Sequence, residues 1–349
     1  MGSHNHHRPA ARFGGTEPPA HCGRPTLGRR PGIRLLASAS ASTDANHSIM
    51  KATIQSLAPP ISIERNLLAV YADLFKARLT LLVLLTAMVG FYVGLRGRVD
   101  WPLLMHTLLG TTLVACGGSA LNQLLERDYD ARMRRTRERP LPSGRLQPQT
   151  VLVLGVSCAV VGVSYLALAV NFLTCLVGTA TFLLYVFVYT PLKRVTWLNT
   201  AVGAIPGALP PVMGWTAARG ELGWEALALF GIQALWQLPH FLAIAWIYRD
   251  EYDKAGFKML PVVDPAGHRT SRQALGHALA LWLVSLCPFW LHLAGSVYFV
   301  GALTLGGAFV WFSIQFARQL DIPSARRLFY ASILYLPLIL AVMVLDKRS

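Results

Sequence analysis

What most constrains this chain is the recurrence, from residue 76 to 345, of apolar runs about twenty residues long separated by polar loops. Nine such runs are legible, near 76–95, 102–122, 151–170, 172–190, 198–216, 224–247, 273–293, 297–317 and 327–345. Each is close to the roughly 20 residues a helix needs to cross the hydrocarbon of a bilayer. The runs are too long for strands and do not alternate with period two. In lipid, every backbone polar group must also be satisfied inside the segment, which favours helices. The expected fold is an all-α integral membrane protein, a nine-transmembrane-helix bundle capped by polar loops.

Composition agrees. Of the 349 residues, 54% are hydrophobic and only 14% charged, the balance of a membrane protein rather than of a soluble domain. The net charge of +15 is gathered in the first 35 residues and in a few loops. That pattern argues against nucleic acid as a partner. It fits a lipid bilayer, topology signals and an anionic substrate. Cys22, Cys116, Cys158, Cys175 and Cys287 form no Cys-x-x-Cys pair, and four lie in apolar runs. They read as small buried hydrophobes rather than disulfides or metal ligands.

Residues 1–60 differ from the rest. They are rich in Arg, Pro, Gly, Ser, Ala and His, and carry only Glu17 and Asp44 as acids before Met50. No continuous apolar segment marks a secretory signal. Two readings stand: a disordered extension ahead of a start at Met50, or an organelle transit peptide. His4, His6 and His7 carry no functional weight here. Residues 61–349 form the expected membrane domain.

The loops obey a sign rule. Lys and Arg crowd the segments before the first run and after the second, fourth, sixth and eighth, while the intervening loops are sparse or mixed. The positive-inside rule then puts the N-terminus inside and the C-terminus outside, with Lys347 and Arg348 as a mild exception. The two richest loops, 123–148 and 249–272, fall on the same inner side, where they could close over one another.

Four elements carry chemistry. The first is Asn122, Glu126 and Asp130, spaced i, i+4 and i+8 at the end of the second run. At about 100° per residue they share one helix face. Three hard oxygen side chains beside the seven arginines from Arg127 to Arg145 describe a site for a metal-bound polyphosphate. The bland reading, acids and arginines that merely mark the interface, is weakened because ionisable groups at a membrane helix end are costly.

The second element is Asp250, Glu251 and Asp253 with Tyr252, after the sixth run. Alone it is an ordinary charged loop start. Paired with the first cluster, its carboxylates could help hold two Mg²⁺ ions across one diphosphate. Arg135, Lys193 and Arg194 would then neutralise leaving charge. The third element, Trp236-Gln237-Leu-Pro239-His240-Phe241, puts a kink and two polar side chains inside a span, and these should face the bundle interior. His240 is either a hydrogen-bonded packing residue or a ligand or acid/base group. The fourth, Asn199 with the Gly- and Pro-rich stretch 203–215, reads mainly as close helix packing that shapes a cavity wall, with Asn199 a candidate substrate contact.

Together these elements resemble the intramembrane prenyltransferases of the UbiA superfamily, and within it the heme-farnesylating branch. The resemblance covers about residues 62 to 345. The pattern Asn-x3-Glu-x3-Asp-x2-Met-x-Arg-Thr-x2-Arg-Pro-Leu runs without a gap from Asn122 to Leu141. Tyr189 to Arg194, Gly207 to Trp215, Trp236 to Phe241, and Ala255-Gly256 followed by Met259 to Val262 look like the same family. There are departures. Glu251 stands where relatives usually carry Asp, leaving the second metal ligand open among Asp250, Glu251 and Asp253. Phe75-Lys76-Ala77-Arg78 replaces the common Thr-Lys-Pro-Arg.

The resemblance implies a UbiA-type bundle and a reaction. Farnesyl diphosphate binds through Mg²⁺ at Asn122, Glu126 and Asp130, and Arg135, Arg139, Lys193 and Arg194 draw off diphosphate charge. A vinyl group of heme B attacks the allylic cation, and water quenches the product to heme O. Asn199, Gln237, His240 and Tyr252 are candidate substrate contacts. A heme A synthase or terminal oxidase assembly is the implied downstream partner. A bacterial inner membrane is favoured, with a mitochondrial inner membrane as the alternative. Two competing functions are a prenyltransferase for a quinone or chlorophyll precursor and a polytopic transporter. The first typically carries Asp where Glu126 stands. The second would place its polar residues at mid-membrane in two related halves.

Overall fold

A computed structural model describes residues 67–348 of the chain. The readings of residues 1–60 lie outside the described residues.

The described residues are almost entirely helical, with one isolated bridge between Ala294 and Lys347. In order they are α1 (Leu67–Leu74), α2 (Ala77–Gly94), α3 (Trp101–Asp130), α4 (Pro148–Ala169), α5 (Phe172–Leu183), α6 (Thr190–Val195), α7 (Asn199–Arg219) and α8 (Trp224–Ile247). Then come α9 (Arg249–Ala255), α10 (Leu260–Val263), α11 (His268–Val284), α12 (Cys287–Trp290), α13 (Ser296–Gln319) and α14 (Ile322–Leu345). A π-helical turn, Leu184–Tyr189, joins α5 to α6.

Among the described residues, eight segments are long and apolar enough to cross a membrane: α2, α3, α4, Phe172–Val195, α8, His268–Trp290, α13 and α14. The chain is a multi-pass membrane protein. The remaining expected span, α7, forms a 21-residue helix but falls short in apolarity. The physical reason is its position. It packs against α2, α5 and α8, and most of its residues are buried, so little of it needs to dissolve in lipid. It still runs from one end of the bundle to the other. Asn199 bonds the carbonyl of Lys258 at one end, and Thr216 accepts from Asn171 at the other.

The α2–α7 contact is the tightest. A Cβ on Gly90 would overlap the carbonyl of Pro211, and one on Gly214 would overlap the carbonyl of Ala87. Small residues let these two backbones touch, and close packing rather than a hydrophobic drive holds helices together in lipid. The outward faces are apolar: Val153, Val160 and Val161 of α4 and Phe187 are exposed, as side chains facing lipid should be.

The two richest loops meet, as their expected placement on one side allowed. At one end, segments 131–147 and 248–263 close on each other, with Met133, Ala255, Phe257 and Met259 buried together and the Tyr129 ring tilted against Phe257. At the other, Lys347 Nζ donates to the carbonyls of Tyr92 and Leu95, clasping the C-terminus to the end of α2. One boundary differs from the sequence reading. The second run was expected to end near 122, but α3 continues to Asp130 and carries the whole acidic motif on regular helix.

Candidate active site

Helical periodicity puts Asn122, Glu126 and Asp130 on the inward face of the last turns of α3, all buried. Buried carboxylates need compensation, and each has found a cation from elsewhere in the chain. Lys193 Nζ donates to Glu126 Oε1 at 2.7 Å, and Arg139 Nη1 to Asp130 Oδ2 at 2.6 Å. Lys76 Nζ donates to Asn122 Oδ1 at 2.6 Å and to the Tyr185 hydroxyl at 3.1 Å. Asn122 Nδ2 in turn donates to Thr190 Oγ1 at 3.0 Å. Two carboxylates thus face the Lys193 and Arg139 cations and the Lys76 amine, a set of donors that suits an anionic ligand.

Local chemistry explains how these groups are aimed. Pro191 has no N–H to give the preceding turn. The Thr190 amide reaches back five residues to the Tyr185 carbonyl, which the Thr190 hydroxyl also bonds at 2.8 Å. This π-helical turn directs Tyr185 and Tyr189 toward the cluster, a recurrent use of such turns. The Lys193 ammonium sits 4.5 Å from the centre of the Tyr189 ring. Lys76 occupies the kink between α1 and α2 with φ 50°, ψ 51°, the left-handed region that a side chain visits at a cost of about 1 kcal/mol. Gln123 holds this kink in place, donating to the carbonyls of Asp73 and Leu74 at 2.9 and 2.7 Å. Removal from water, with the charges of Arg139 and Lys193 nearby, pushes the Lys76 ammonium down to about 7.

The second acidic segment closes over this end. Arg135 donates to the Tyr252 hydroxyl at 3.3 Å, and Arg194 to the Tyr129 hydroxyl at 3.1 Å. Its three acids differ. Asp250 is exposed and lies 3.7 Å from Arg249, and Asp253 is exposed. Glu251 is half-buried, with Oε2 shut away from solvent and without a hydrogen-bond partner. An orphaned carboxylate oxygen of this kind suits a cation.

Other expected residues fall elsewhere. Asn199 is fully buried, with Nδ2 bonded to the carbonyls of Thr196 and Lys258 and Oδ1 accepting from Thr200. It ties the α6–α7 corner to the loop before α10, and the Lys258 amide completes the tie on the Lys193 carbonyl at 2.9 Å. Gln237 is buried against Gly207 of α7 and bonds the carbonyls of Gln233 and Ala204. His240 turns instead to α14. Its Nδ1 pairs with Ser332 Oγ at 2.7 Å, and its ring stacks on Trp236 at 4.9 Å between centroids and lies beside Phe329.

Sequence reasoning missed Lys76 as a member of the cluster, counting it as a topology charge and as part of a departure from the family motif. Gln123, Thr190, Tyr185 and Ser332 were also missed. The signal for Lys76 was a lysine immediately ahead of a span, which is also an ordinary anchor.

Hard oxygen donors suit Mg²⁺. Among the described residues, no three Asp, Glu, His or Cys side chains converge on one point. Mg²⁺ commonly takes one or two carboxylates and fills its shell from substrate and water.

The UbiA prenyltransferase family matches residues 83–336. The chain is 44% identical over 309 residues to the protoheme IX farnesyltransferase of Koribacter versatilis (strain Ellin345), across 85% of this chain and 99% of that protein. It is 45% identical over 286 residues to that of Solibacter usitatus (strain Ellin6076), across 79% and 98%. The mitochondrial protoheme IX farnesyltransferase of Homo sapiens is 40% identical over 279 residues, across 80% of this chain and 62% of that one. A UbiA homolog from Archaeoglobus fulgidus, solved with DMAPP and Mg²⁺, superposes with TM-score 0.56 at 17% identity, across 78% and 98%. A structure described in connection with digeranylgeranylglyceryl phosphate synthase superposes with TM-score 0.69 at 14% identity, across 80% and 98%. These two structures share its fold. The helical bundle, the family match over residues 83–336 and the similarity to the two bacterial relatives over nearly their whole length lead to one conclusion: the chain belongs to the UbiA prenyltransferase family.

Proposed function

We propose that this chain converts heme B to heme O, transferring a farnesyl group from farnesyl diphosphate to a heme vinyl group with addition of water and release of diphosphate. The observation that supports the chemistry is the buried set Asn122, Glu126 and Asp130 enclosed by Lys76, Lys193 and Arg139. The farnesyl and heme identities rest on the relatives named protoheme IX farnesyltransferase.

Asn122, Glu126 and Asp130 would hold Mg²⁺ from one side, and Glu251, with its unpartnered oxygen, from the other. Bound there, Mg²⁺ would supply charge neutralisation to the diphosphate oxygens. Lys76, Lys193, Arg139, Arg135 and Arg194 stabilise the charge that builds on the leaving diphosphate as the bond between carbon 1 and oxygen breaks. The resulting allylic cation is attacked by the terminal carbon of the vinyl group. The positive charge moves to the carbon beside the porphyrin ring, where water adds and loses a proton. Early water would intercept the allylic cation. Closure of segments 131–147 and 248–263, bridged by Arg135 and Tyr252, shields this end. Asn199 and Gln237 position the walls of the cavity, and His240 with Trp236 offers an aromatic surface to the acceptor.

We assign the chain to a bacterial inner membrane, with a heme A synthase or terminal oxidase assembly consuming the product. Acceptor choice tests the reading. Membranes containing the protein should consume heme B with farnesyl diphosphate and leave 4-hydroxybenzoate untouched. Prenylated 4-hydroxybenzoate with unchanged heme would move the function to the quinone branch.

A further inference from the structure

A cavity of about 280 Å³ is lined by Trp197, Leu260, Arg269, Arg272 and Gln273, none of them a member of the cationic cluster. Lys258, two residues before Leu260, is bonded to the Lys193 carbonyl, and Trp197 follows Lys193 by four residues. A narrower space shares Trp197, Leu260 and Gln273 and continues past Thr200 and Ala201 of α7 and Leu238 and Leu242 of α8. The opening therefore has cations at its mouth and a mainly apolar inner wall where α7 and α8 meet.

Arg269 and Arg272 stand one turn apart on α11, on the same face. The nearby acid, Asp264, is engaged with the helix start. Its Oδ2 accepts from the Arg269 and Thr270 amides at 2.8 Å and from the Thr270 hydroxyl at 3.0 Å. Both arginine side chains are exposed, and none of their guanidinium nitrogens forms an ion pair with Asp264.

We infer that this groove binds the carboxylate edge of the porphyrin acceptor, Arg269 and Arg272 taking its two propionates while Trp197 and Leu260 contact the macrocycle. The inference rests on the heme reading above. Guanidinium and carboxylate pair through parallel hydrogen bonds, and an aromatic side chain suits a flat apolar ring. Carboxylates avoid hydrocarbon, so the propionates belong at a water-facing end of the bundle, where these arginines are. The cavity is near the lower limit of about 300 Å³ for ligand pockets, room for the edge of a macrocycle rather than the whole. Protoheme carries its vinyl groups on the edge opposite the propionates. Holding the propionates at the mouth sends the vinyl edge inward, along α7 and α8.

The test is steady-state kinetics of the full chain in phosphatidylcholine nanodiscs, wild type against Arg269→Ala/Arg272→Ala and Arg269→Lys/Arg272→Lys. The alanine pair should raise KM for heme B about tenfold and leave KM for farnesyl diphosphate unchanged. The lysine pair should recover part of the loss. With heme B dimethyl ester, whose propionates are neutral, wild type and alanine pair should be equally poor. An unchanged heme KM in an active alanine pair overturns the inference alone. So does an effect that appears only when phosphatidylglycerol is added, which would assign the arginines to a lipid headgroup. Absence of farnesylated heme in the wild type overturns the underlying reading and the inference with it.

Discussion

Lys76 places its ammonium 2.6 Å from Asn122 Oδ1, joining the kink before the first span to the polar end of the second across 46 residues of sequence. The contact depends on a left-handed backbone at Lys76 and on Gln123 holding the two preceding carbonyls. A strained conformation at a charged, half-buried residue beside candidate metal ligands fits a functional constraint.

Replacing Lys76 with Met should therefore lower kcat about 10²-fold, the scale of losing one preorganised charge on a leaving group. Lys76→Arg should retain part of the activity. Stopped-turnover assays with farnesyl diphosphate would check both, with insertion monitored by heat stability of the detergent-solubilised protein.

Asp130→Asn keeps the shape of the side chain and removes the charge that pairs with Arg139. The expected result is a loss of about 10²-fold in rate and an increase in the Mg²⁺ concentration needed for half-maximal activity. Titrating Mg²⁺ against diphosphate release reads both. Full activity at unchanged Mg²⁺ demand would remove Asp130 from the metal site.

Glu126→Gln differs, because it leaves the Lys193 charge without its carboxylate in a buried setting. The variant should lose roughly 3 kcal/mol of stability as well as activity. Thermal unfolding followed by cysteine reactivity of the buried Cys175 would register it.

Among the acids of the second segment, the order of importance should follow burial. Glu251→Gln should abolish most activity, whereas Asp250→Asn and Asp253→Asn should stay within about threefold of wild type, because exposed charges are worth little. A dead Asp253→Asn beside a normal Glu251→Gln would reverse the assignment.

Gly214→Val tests the α2–α7 contact. A side chain there must displace the Ala87 carbonyl, and overpacking of this kind costs about 1–3 kcal/mol or more. The variant should be poorly recovered in membranes, while the same change at Gly276, where a Cβ meets nothing within 4 Å, should be tolerated.

The helices were legible in the sequence because lipid dictates both length and composition of each span. The shared face of Asn122, Glu126 and Asp130 was legible because helical periodicity is local. The parts that were not legible are those set by long-range contact. Lys76 finds Asn122 only after two spans pack, and the choice among Asp250, Glu251 and Asp253 depends on which carboxylate the loop closure buries. The expected run at 198–216 forms a helix, α7, that is only moderately apolar and is not among the eight candidate spans, since a helix shielded by its neighbours is released from the composition that lipid imposes. His240 was expected to face the bundle interior, and which partner it meets there, Ser332 on α14, is set by a contact across 92 residues.

The most direct test of the account is the mass of the pigment formed from heme B, farnesyl diphosphate and Mg²⁺ in ¹⁸O-labelled water by membranes containing this protein. The account predicts heme heavier by one farnesyl group and one water, with the label in the new hydroxyl. Unchanged heme beside intact farnesyl diphosphate, in folded protein, would contradict it.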